Sequence, residues 1–81
     1  MNVPESLPQG MRSLFEEILR SDQRLLAELQ DHRTPTPTQR KLVLRLLLLE
    51  FSNCLDENYE PSQRGRDIDE LLGRFLQLWP I

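Results

Sequence analysis

The side chains best suited to chemistry are thinly spread along this chain. His32 is the only histidine and Cys54 the only cysteine. A zinc centre needs several convergent His, Cys or carboxylate ligands, and neither residue has a second of its kind to help close one. His32 follows Asp31 at the expected end of a helix, where an imidazole serves as an ordinary C-terminal cap. The carboxylate pairs Glu16–Glu17 and Asp56–Glu57 are adjacent in sequence, so on a helix they diverge by about 100° and make poor acid/base dyads. The chain carries no HExxH, no nucleophile elbow and no glycine loop that would cradle a phosphate. The expectation is a non-catalytic protein without a cofactor or metal.

Two polar clusters point to binding instead. Thr38, Gln39, Arg40 and Lys41 crowd the start of a predicted helix, where free backbone N–H groups attract anions and a recognition helix could enter a nucleic-acid groove. Against that reading, the same helix is the most apolar in the chain, and the net charge is −3. Phosphate neutralisation needs a basic face. Nucleic-acid binding is therefore the alternative and not the leading function. Arg64-Gly65-Arg66 could clamp a phosphate or carboxylate, but reads better as a solvated turn whose arginines offset Asp67, Asp69 and the acids Asp56, Glu57 and Glu60.

The strongest signal is apolar. In Leu42–Phe51, LVLRLLLLEF, only Arg45 and Glu50 interrupt the hydrophobic run. A stretch of about ten apolar residues is too short to span a bilayer, which needs about 20, so no membrane is expected. On a helical wheel Val43, Leu44, Leu47, Leu48, Phe51, Cys54 and Leu55 fill an arc of about 140°, already a full core face. Leu42, Leu46 and Leu49, spaced i, i+4, i+7, form a second apolar ridge. Lys41, Arg45, Ser52 and Asp56 separate the two arcs on one flank, and Glu50 on the other. A helix apolar on two sides is either central or shared with a partner.

The elements that must hold this helix follow from composition and punctuation. Eighty-one residues with 38% hydrophobic and 28% charged content make one small globular domain, rich in helix formers and poor in β-branched residues. No strand pattern competes. Met11, Leu14, Phe15, Ile18, Leu19, Leu25, Leu26 and Leu29 form one stripe, with Ser6-x-x-Gln9 and Ser13-x-x-Glu16 as candidate capping boxes at its start. Asp22 falls in the middle of that stripe; it either kinks the helix near Ser21–Asp22 or pairs, half-buried, with an arginine. The prolines at 35 and 37 stop this helix and start the next, with Thr36 as N-cap, Pro37 at N1 and Gln39 at N3. After Pro61 a linker runs to Arg66. Asp67-x-x-Glu70 then opens a last helix whose stripe includes Ile68, Leu71, Leu72, Phe75, Leu76, Leu78 and Trp79.

These signals predict an all-α, small antiparallel three-helix bundle with helices over about 7/13–31, 37–57 and 67–79, in one domain 1–81 whose residues 1–6 are flexible. The expected compartment is the cytoplasm, since Cys54 has no partner and the N-terminus lacks the pattern of a secretory signal. The expected role is binding of another protein, or of a second copy as a homodimer, in an adaptor, regulatory or chaperone-like capacity. The predicted contacts are Leu42, Leu46 and Leu49, with Lys41, Arg45 and Glu50 as the rim.

Overall fold

A computed structural model describes residues 2–80 of the chain. It is an all-α, antiparallel three-helix bundle whose first arm is bent. Helix α1 spans Gln9–Leu19, a 3-10 turn occupies Arg20–Asp22, and α2 spans Gln23–Gln30. Helix α3 covers Pro37–Asn53 and α4 covers Gln63–Leu78. The most extensive interhelical packing is between α3 and α4, with α1 laid against both.

The bend in the first arm has a local cause. The Asp22 carboxylate accepts a hydrogen bond from the Leu25 N–H at 3.1 Å, so it caps α2 as a separate helix. Of the two readings of Asp22, the structure adopts the kink. Neither serine box forms at the start of α1. Ser6 lies in a short 3-10 turn, Pro4–Ser6, and Ser13 lies inside the helix, which begins after Pro8.

Residues 1–6, expected to be flexible, are packed over the part of them that the structure describes. Val3 is fully buried, and its N–H donates to the carbonyl of His32 at 2.9 Å. Pro4 and Leu7 are buried beside it. The arm thereby closes the end of the bundle formed by α2 and the turn after it.

Helix α3 starts as its sequence predicts. The Thr36 side chain accepts from the Gln39 N–H at 3.1 Å, and the Gln39 side chain accepts from the Thr36 N–H at 2.9 Å. It ends at Asn53, earlier than the predicted 57. Residues 54–62 then form a tight reversal in which Leu55 and Pro61 bridge antiparallel. The Asp56 carboxylate organises the tip by accepting from the Asn58 and Glu60 N–H groups at 2.8 and 2.9 Å. Helix α4 starts at Gln63 and not at 67. Ser62 is its cap, accepting from Gly65 N–H at 3.2 Å, so the predicted linker Pro61–Arg66 supplies most of the first turn.

The core joins all these parts. Phe15 of α1 stacks on Phe75 of α4 with ring centroids 6.2 Å apart, and Phe75 meets Trp79 at 5.1 Å. Val43 and Leu47 enter from α3, Leu25 and Leu29 from α2, and Ile68 and Leu71 from α4, all buried.

Candidate protein-binding face

Helix α3 touches the rest of the bundle along one side only, and the position of that side decides which leucines are free. Val43 and Leu47 are fully buried, and the half-buried Cys54 continues their line. At 100° per residue these three lie within about 40° of one another. The face diametrically opposite carries Lys41, Arg45 and Ser52, all exposed. Leu48, 54% exposed, borders that polar strip on one flank, while Leu49 at 56% and Leu42 at 40% border it on the other.

The sequence-predicted contacts therefore separate. Leu42 and Leu49 lie at the surface with Lys41 and Arg45 between them and Leu48. Leu46 turns inward far enough to pack on the edge of the core, and Glu50 is half-buried on the same side. Leu48, assigned from the wheel to the core arc, is instead exposed; Leu44 and Phe51 from the same arc are half-buried. The wheel places residues by angle, but only the packing of α3 against α4 and α1 fixes how wide the covered arc is. The covered arc is centred on Val43 and Leu47 and runs from Leu46 to Leu44, which leaves Leu48 outside it and brings Leu46 to its edge.

A shallow apolar depression is lined by Lys41, Leu44, Arg45, Leu48, Leu49 and Ser52. All six side chains come from one helix. Such a surface has no opposing wall to enclose a small molecule, and suits a second helix laid along it. The other exposed large apolar groups come from outside α3. Leu76 and Leu78 of α4 are two residues apart and point about 200° from each other, and Tyr59 stands alone on the loop tip.

The nucleic-acid alternative fares differently at each of its four residues. Gln39 is buried and donates to the Glu28 carboxylate at 3.2 Å. Arg40 is committed internally, its Nε donating to the Pro35 carbonyl and one terminal nitrogen to the Pro80 carbonyl, both at 3.0 Å. Thr38 and Lys41 remain exposed. Two of the four groups are thus already occupied in holding the fold together.

Elsewhere, several polar groups are tied into the fold. The His32 ring nitrogen Nδ1 lies 2.6 Å from the Glu28 carbonyl at the end of α2. Arg64 pairs with Glu17 at 3.1 Å, linking α4 to α1 beside a concavity of about 570 Å³ lined by Met11, Leu14, Asp67 and Glu70 among others. Within the arginine pair expected to offset Asp67, Asp69 and the acids at 56–60, Arg64 forms its ion pair with Glu17. Among the described residues no group of three or more His, Cys, Asp or Glu is placed to hold a metal ion, and no helix is long and apolar enough to cross a membrane. Comparison with protein-family models, curated proteins and solved structures found no match for this chain.

Proposed function

We propose that this chain is a small, non-catalytic protein-binding module of the adaptor, regulatory or chaperone-like kind, and that its contact surface is the outer face of α3. One observation carries the reading. Leu42, Leu48 and Leu49 stand exposed around Lys41 and Arg45 on a helix whose opposite side is already packed. Three leucines on one face approach the size of apolar patch that marks a protein contact, and cations beside them give such a contact its register. The contact set is thereby redrawn: Leu48 joins Leu42, Leu49, Lys41 and Arg45, while Leu46 and Glu50 belong to the supporting edge. We place its activity in the cytoplasm, where a lone thiol such as Cys54 stays reduced.

A photo-crosslinking amino acid at position 48, expressed in the native cell, tests this directly. The expected result is a discrete protein adduct, to itself or to another chain, that is missing when the same probe replaces the exposed Asp69 on α4. Equal labelling from both positions, or none from position 48, counts against the reading.

A further inference from the structure

We propose that the occupant of this face is a second copy of the chain, with the two α3 helices antiparallel about a twofold axis passing between Leu48 and Leu49. The inference rests on the protein-binding reading and names its partner. It is carried by the distribution of charge along α3. The exposed cations Lys41 and Arg45 lie toward the N-terminal half of the face. The exposed acids Asp56, Glu57 and Glu60 lie just beyond its C-terminal end. The ion pairs formed among the described residues, Arg24–Glu28 and Arg64–Glu17, involve none of these five groups. Asp56 is answered within its own loop by the Asn58 and Glu60 N–H groups, so, among the described residues, the charges without a partner there are those of Glu57 and Glu60.

An antiparallel pair resolves both imbalances in one step. With the axis between Leu48 and Leu49, the leucines of each copy pack across it on those of the other. Arg45 then faces Ser52 of the second copy, and Lys41, about 11 Å from the axis along the helix, reaches the stretch that begins at Asp56. A parallel pair would set Lys41 on Lys41, Arg45 on Arg45 and one acidic loop against the other. A partner that was merely acidic would match the cations and leave the loop unanswered. The self-complementary arrangement is the one in which a single patch satisfies itself and closes at two copies.

A single helix pair lies at the small end of stable interfaces, so the expected dissociation constant is about 10–100 µM. Sedimentation velocity on the full chain should show dimer across that range, weakening about tenfold between low and high salt. Two charge-reversed variants sharpen the test: Lys41→Glu with Arg45→Glu, and Glu57→Lys with Glu60→Lys. Each should be monomeric alone, and the two should associate when mixed. The side chains changed are exposed, and circular dichroism verifies that helix content is unaltered. Spin labels on Thr38→Cys in a Cys54→Ser background should lie about 30 Å or more apart, against about 10–15 Å for parallel helices. A wild-type chain that stays monomeric at about 1 mM, a mixture that does not associate, or a short label distance overturns the proposal. Adducts from position 48 to other proteins without any self-adduct sink the second copy and leave the protein-binding reading standing; no adduct at all sinks both.

Discussion

Glu28 and Gln39 tie the end of α2 to the start of α3, the Gln39 side-chain amide donating to the Glu28 carboxylate at 3.2 Å. The same glutamine completes the capping box with Thr36, so one buried side chain serves a local cap and a tertiary tether. Gln39→Glu keeps the acceptor that the cap needs but removes the donor and places two carboxylates in contact. The expected cost at neutral pH is about 1–3 kcal/mol. Adding Glu28→Gln puts the donor back on the other side of the pair, and the double variant should recover most of the loss in urea denaturation.

The three glycines separate by what surrounds them. A Cβ built on Gly65 would lie 3.0 Å from the Cβ of Pro61 and 3.1 Å from that of Cys54, while one on Gly10 or Gly73 meets nothing within 4 Å. Both obstructing atoms are attached directly to the backbone and cannot swing away. Gly65→Ala should therefore destabilise by about 1–3 kcal/mol, as overpacking does. Gly73→Ala, in the exposed middle of α4, should stabilise by about 0.5–1 kcal/mol through helix propensity and a less free unfolded chain. Thermal melts of the two variants should move in opposite directions.

Tyr59 holds a φ of 61° while 82% exposed, so it carries backbone strain with little burial to compensate. Tyr59→Gly relieves the left-handed conformation, and the added freedom of the unfolded chain offsets part of the gain. A net stabilisation of about 0.5–1 kcal/mol is expected, seen as a higher denaturant midpoint at unchanged slope. An unchanged or lower midpoint would mean that the tyrosine ring makes contacts that outweigh the strain.

Val3 ties the N-terminal arm to the bundle through complete burial and the hydrogen bond to the His32 carbonyl. Val3→Ala empties part of a filled site and should cost about 2 kcal/mol. Val3→Asp should cost more, because a carboxylate would be buried without a partner. Amide exchange in α2 and the turn after it should accelerate in both variants; exchange no faster than in the parent chain would show that the arm adds nothing to that end of the bundle.

What could be read from sequence divides along the reach of the interactions. The Thr36–Gln39 box and the cap at Asp22 depend on residues three apart, and both are visible in the sequence as they stand. The start of α4 is equally local, yet Ser62 faces Gly65 where a full box would have Glu or Gln, so Asp67-x-x-Glu70 gives the stronger signal four residues too late. Burial of Val3 depends on His32, far along the chain, and no periodic pattern announces it. The candidate face lies between these cases. The wheel sets Lys41, Arg45 and Ser52 on one strip, and all three are exposed, but the exposure of Leu48 and the inward turn of Leu46 depend on how much of α3 its neighbours cover, which no single helix encodes.

Arg40 offers the last discrimination, between a nucleic-acid contact and a structural tie. Its guanidinium bonds the Pro35 carbonyl before α3 and the Pro80 carbonyl after α4, joining the start of one helix to the far end of another. Lys41, the next residue, is exposed and makes no such bridge. Arg40→Ala should then lower stability by about 1–2 kcal/mol, a melting shift of about 4–8 °C for each kcal/mol in a domain of this size, while Lys41→Ala stays within about 0.5 kcal/mol of the parent. If the start of α3 instead bound phosphates, both substitutions would weaken heparin retention in step and neither would need to change the melt. Retention that is weak in the parent and equal in both variants, with only Arg40→Ala melting early, assigns the arginine to the fold and leaves Lys41 free for the face described above.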